Sequence, residues 1–132
     1  MTDALVAFLK ARFTDEESAA IAAHGPFSGD LGRRWWTPEE FKTALCHDQI
    51  HMSDAVYMAR HAPARTLREV EAARAVLDLY EEAGHRMDRA MRDADTVAYQ
   101  EARIEQRTLR KVLLGEAAVH EAHPDYLPEW RP

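Results

Sequence analysis

The segment Ala59-Arg60-His61-Ala62-Pro63-Ala64-Arg65-Thr66-Leu67-Arg68-Glu69-Val70-Glu71 decides the fold of this 132-residue chain. Pro63 has no amide hydrogen and disfavours α geometry at Ala62. A helix arriving from the N-terminal side must therefore stop there, while Pro63 suits the first position of the next. Beyond it Val70, Ala73, Leu77, Tyr80, Gly84, Met87 and Met91 keep a helical pattern, widened by Val76, Ala83 and Ala90. The spacing predicts one long amphipathic helix, the spine of the fold, running to Arg92.

Outward from the spine, Asp93-Ala94-Asp95-Thr96 reads as a polar turn, and Asp95 as the cap of a last helix. Its apolar face is predicted to be Val97, Ile104, Val112 and Val119, with Leu109 and Leu113 beside it. The two helices make a long antiparallel hairpin, either solvated at its polar tip or completed by a partner chain. Residues 123–132, with three prolines, are expected to form a non-helical, extended tail.

On the N-terminal side Asp3 can cap a first helix with Leu5, Phe8, Leu9 and Phe13 on one face and Ala19, Ala20 and Ala23 continuing it. His24-Gly25-Pro26 stops it, and the spacing of Thr14 and Glu17 allows a second start within it. Residues 25–36 form a glycine-containing loop ending in Arg33-Arg34-Trp35-Trp36, whose composition suits an interaction surface. The competing reading is that the tryptophans fold back and cap the core. Thr37-Pro38-Glu39-Glu40 is a helix start, and Phe41, Leu45, Met52, Val56 and Ala59 hold helical spacing to His61. Ser53-Asp54 could cap a separate helix, so residues 38–61 hold one helix or two. The fold class is all-α, a four- or five-helix bundle in a single domain spanning residues 1–132.

Composition narrows function. Net charge is −6, so nothing global draws the chain to phosphate backbones or anionic lipid. Cys46 is the only cysteine, which excludes an internal disulfide and a thiolate zinc cluster and suits a reducing, cytoplasmic setting. No apolar run reaches membrane-span length, and Met1-Thr2-Asp3-Ala4 lacks the layout of a signal peptide.

No complete catalytic constellation is present, and no cofactor is expected. His47 and His51 share a helical face with Asp54 one turn on, a zinc-like trio. Glu82 and His85 have the spacing of one half of a di-iron carboxylate site, but the second half is missing. Glu71, Asp78 and Glu82, as an acidic magnesium site, fall opposite the buried stripe. Cys46 and His47 point about 100° apart on a helix and make no dyad. Arg103, Arg107 and Arg110 form a ridge continued by Lys111, able to meet phosphates or to stay solvated among Glu101 and Glu105.

The charges around the opening segment are unusual. Arg65 and Arg68 lie in the first two turns of the spine, where the helix dipole disfavours cations, and Arg60 and His61 precede the break. Carboxylates are expected nearby. The reading assigns them to the tail, with Asp125 or Glu129 answering the arginines and Tyr126 and Trp130 covering the junction.

Three blocks carry a resemblance: Ala7-Phe8-Leu9-Lys10-Ala11-Arg12-Phe13 followed by Gly25-Pro26; Ala59-Arg60-His61-x-Pro63-Ala64-Arg65-x-Leu67-Arg68-Glu69-Val70-Glu71-Ala72; and His123-Pro124-Asp125-Tyr126-x-Pro128-Glu129-Trp130-Arg131-Pro132. Together they resemble a family of small actinobacterial and actinophage proteins known only as a domain of unknown function, family 6221. Phe27 stands after Gly25-Pro26 where that family usually has tryptophan, and the Thr37 helix start falls where it has a variable insert. The resemblance implies an actinobacterial or phage origin and carries no activity across.

The reading that follows is a non-enzymatic interaction or regulatory protein, self-associating or docking a protein partner through Trp35-Trp36 or the hairpin. The alternative is a metal-dependent enzyme using His47, His51 and Asp54, or Glu82 and His85. A third is nucleic-acid binding through the arginine ridge, which the net charge disfavours.

Overall fold

The computed structural model describes residues 3–22, 39, 40, 43 and 51–132, apart from the side chains of residues 54, 59 and 60. These residues are all-α. Four principal helices are α1 (Ala4–Ala22), α2 (Met52–Arg60), α3 (Pro63–Arg92) and α4 (Thr96–Ala118), followed by a 3₁₀ turn at Pro128–Trp130. They divide into two compact units, one of Met1–Phe13 with Ala72–Pro132 and one of Thr14–Glu71.

The segment around Pro63 breaks the chain as its chemistry requires. α2 ends at Arg60, His61 is a turn residue, and Pro63 is the first residue of α3. The Ala62 carbonyl accepts from Arg65 N at 2.9 Å, closing the first turn without needing the amide that proline lacks. His51 is non-helical and Ala55 N donates to its carbonyl at 3.0 Å, so the helix entering the junction begins at Met52 as a separate element. Of the stretch begun at Thr37, Glu39, Glu40 and Thr43 are described and helical, and Thr43 Oγ1 donates to Glu39 O at 2.9 Å. Among the described residues of this second unit the buried apolar side chains are Ala20, Ala55, Ala62, Ala64 and Val70.

The first unit buries large side chains from α1 and α3. α1 contributes Leu5, Phe8, Leu9 and Phe13 at helical spacing, and it runs unbroken through Thr14, so the Thr14–Glu17 spacing does not open a second helix. α3 contributes Leu77, Tyr80, Ala83 and Ala90.

The turn into α4 is a Schellman motif: Asp95 N reaches Ala90 O at 2.8 Å and Ala94 N reaches Met91 O at 3.3 Å. Ala94 takes the left-handed position at φ 53°, a conformation that glycine would adopt at lower cost. Asp95 then caps α4, its side chain accepting from Ala98 N at 3.0 Å. α3 and α4 run antiparallel, and Gly84 faces Gln106, Arg86 pairs with Glu105 at 2.5 Å, and Tyr80 meets Arg110 at 3.1 Å.

One expectation is corrected here. The inward side of α4 is Ala102, Leu113 and Ala117, while Val97, Ile104, Val112 and Val119 are exposed by 70, 56, 46 and 76 %. Met91, at the end of the α3 stripe, is exposed as well. Where two helices approach closely, small side chains pack better than branched ones, and Ala83 and Ala90 on α3 are buried as Ala102 and Ala117 are on α4.

The tail is not extended. Backbone bonds Tyr126 N to His123 O and Trp130 N to Leu127 O, both 3.0 Å, wind it into turns, with Pro128 opening the 3₁₀ turn where its missing amide costs nothing.

Candidate functional site

A polar concavity of the first unit lies between the N-terminal end of α1, the middle of α3 and Gln106 of α4. It is a cavity of about 370 Å³ lined by Asp3, Lys10, Tyr80, Glu81, Gly84, His85, Asp88 and Gln106, with Val6 and Met87 as its apolar parts. Helical spacing brings these groups together: Asp3, Val6 and Lys10 share one side of α1, and Glu81, His85 and Asp88 one side of α3. At Gly84 an added Cβ would come within 2.8 Å of Gln106 Nε2, so the absent side chain leaves the space that the Gln106 amide occupies at the cavity edge.

Its organised centre is a three-way contact. Asp3 Oδ2 accepts from the Tyr80 hydroxyl at 2.7 Å and from Arg110 at 2.9 Å, and Arg110 also donates to the Tyr80 oxygen at 3.1 Å. The other Asp3 oxygen accepts from Leu5 N at 3.0 Å, so one carboxylate both caps α1 and ties α1 to the hairpin. Burial by itself would raise the Asp3 carboxyl, but the Tyr80 hydroxyl, the Leu5 amide and the Arg110 guanidinium outweigh it and hold the group below the usual carboxylate range. Burial and the Asp3 hydrogen bond push the Tyr80 hydroxyl up. Burial opposes the Arg110 charge, and its bonds to Tyr80 and Asp3 overcome that and raise it. Lys10 and Glu81 neutralise one another at 2.6 Å.

These groups therefore serve each other. Tyr80 is held protonated and the Asp3 carboxylate is engaged at both oxygens. The centre is a structural clasp with a testable pH signature. A depressed carboxyl contributes stability above its unfolded pKa, about 3.9, and the contribution is lost as pH falls through the lower folded value. Asp3→Asn is expected to cost about 1–2 kcal/mol at neutral pH, because charge-assisted bonds are replaced by neutral ones. The difference from wild type should vanish in acid, as read by urea unfolding at a series of pH values.

The residues singled out from sequence are placed as follows. Arg33, Arg34, Trp35, Trp36, Cys46 and His47 lie outside the described residues, as do the side chains of Asp54 and Arg60. His51 is exposed. Among the described residues no three His, Cys, Asp or Glu side chains converge in a way that could hold a metal ion. Glu82 is exposed, and His85 lines the cavity. Arg110 leaves the predicted ridge for Asp3 and Tyr80, so the exposed basic side chains there are Arg103, Arg107 and Lys111.

At the Pro63 junction, Arg65 Nε meets Glu69 Oε1 at 2.6 Å, one turn on in its own helix, and Arg68 donates to Ala64 O at 3.2 Å. His61 stacks on Tyr57 with ring centroids 4.4 Å apart. Tyr126 and Trp130 are buried on Phe8, at centroid distances of 6.0 and 5.0 Å. Arg12 lies over the same ring and contacts His123 Nε2. Asp125 Oδ2 stands 3.9 Å from His123 Nδ1, and Glu129 is exposed.

Sequence reasoning took Asp3 only as a cap and Arg110 only as part of a ridge. The available signal was Tyr80, a tyrosine on a buried stripe whose hydroxyl needs a partner.

No helix among the described residues is long and apolar enough to cross a membrane. No curated protein and no solved structure matches the chain. A family model matches almost all of it, residues 2–132, and the chain belongs to that family, a family of unknown function (DUF6221).

Proposed function

We propose that this is a non-enzymatic, cytoplasmic protein of actinobacterial or phage origin that works by protein–protein contact, and that the contact is made by the outer face of α4. One observation carries the reading. Val97, Ile104 and Val112 lie on one side of a single helix, continued by Val119 at its C-cap, and face outward, while the same helix buries chiefly alanine on its inner side. β-branched residues are poorer helix formers than alanine, and exposed apolar area costs solubility, so a row of four has no use inside this fold. The occupant that fits a narrow apolar stripe on a helix is a helix presenting another such stripe.

Lys111 is the only lysine of α4 and borders the stripe; Lys10 belongs to α1. Amine-reactive crosslinking in intact cells, read by mass spectrometry, is expected to give inter-protein links at Lys111 and not at Lys10. Ile104→Glu should abolish them, since Ile104 is exposed and the change leaves the core intact. Inter-protein links absent from Lys111, or unchanged by Ile104→Glu, would sink the reading.

A further inference from the structure

We infer that the partner of α4 is α4 of a second copy of this chain, lying parallel and in register. The inference rests on the interaction reading above and gives it an occupant. Val97, Ile104, Val112 and Val119 follow one another at steps of seven, eight and seven, and Thr108 falls midway, eleven residues from Val97 and from Val119. An eleven-residue repeat corresponds to about 3.67 residues per turn, close to the 3.6 of a straight α-helix, so the stripe stays on one side for about 33 Å. Gly115 lies on this side with nothing within 4 Å of where its Cβ would be, which leaves room for a close helix.

Charge decides the direction. At about 100° per residue, Arg107 and Lys111 fall on one flank of the stripe and Glu116 on the other. Arg107, Lys111 and Glu116 are all exposed, with no ion pair among the described residues. In a parallel pair the basic flank of one copy faces the acidic flank of the other, and Lys111 reaches Glu116 of its mate twice by symmetry. An antiparallel pair centred on Thr108 would instead set Arg107 against Lys111 and Glu101 against Glu116. Glu101 lies on the seam in the parallel pair too, facing its own copy, and this limits the dimer to a dissociation constant on the order of 10 µM.

The test is light scattering over a concentration series on the full chain. Wild type is expected to dimerise, and Lys111→Glu to raise the dissociation constant about tenfold, the combined effect of two lost pairs and two new repulsions. The double change Lys111→Glu with Glu116→Lys should restore it. Tighter association of Lys111→Glu would mean an antiparallel pair and would overturn the proposal. So would an unchanged constant, or a chain that stays monomeric to several hundred µM, roughly tenfold or more above the expected constant.

A second variant fixes the register. Val97→Cys with Val119→Cys, mildly oxidised, should link 97 to 97 and 119 to 119; links from 97 to 119, or none, count against the parallel pair. A monomer that still gives crosslinks at Lys111 to another protein removes the self-pairing and leaves the interaction reading standing.

Discussion

Replacing Trp130 with alanine is expected to lower the unfolding free energy by about 3–5 kcal/mol, a fall in Tm of roughly 10–20 °C. The size follows from where the indole sits. Trp130 is only 5 % exposed, tilted against Phe8 at 5.0 Å and edge-on to Tyr126 at 5.6 Å. Phe8 in turn carries Tyr126, His120 and His123 around its ring, so the tail closes over α1 as one aromatic cluster. Aromatic pairs of this geometry add about 0.5–1.5 kcal/mol each beyond area burial, which puts the loss in the range of a core truncation. Ending the chain at His123 removes Tyr126 with Trp130 and should cost at least as much. Thermal unfolding followed by circular dichroism reads both; a Tm within a few degrees of wild type would mean that the tail does not belong to the core.

The fold was legible where local chemistry acts alone. Pro63 cannot sit inside a helix, Asp95 has the side chain an N-cap needs, and the Leu5–Phe13 spacing matches one helical face. Each of these readings depends on residues within one or two turns of one another. The inner face of α4 departs from its hydrophobic pattern for a different reason. Ranking by hydrophobicity selects Val97 and Ile104 over Ala102 and Ala117, yet the alanines are the buried residues, as Ala83 and Ala90 are on α3, and small side chains suit closely packed helices. The clasp was invisible because Asp3 meets residues 77 and 107 positions away, and long-range polar contacts leave no period in the sequence. The tail's partner, Phe8, lies at the other end of the chain, and no local pattern in the tail points to it.

Adjacent residues on α4 give the sharpest check on which face is inward. Leu113 is fully buried, and Leu113→Ala is expected to destabilise the protein by about 3 kcal/mol, the transfer loss plus the cavity left behind. Val112, one position earlier and 46 % exposed, points about 100° away. Val112→Ala gives up little burial and gains helix propensity of about half a kcal/mol, so its stability should stay within about 0.5 kcal/mol of wild type. Self-association should respond in the opposite way, with Val112→Ala weakening it because Val112 lies on the proposed seam. Leu113→Ala should leave it unchanged at temperatures where the fold persists. Urea unfolding and light scattering on the two variants therefore separate a residue that holds the hairpin together from a neighbour that faces a partner. If both variants lost stability equally, the α4 stripe would belong to the interior and would not be free for a second chain.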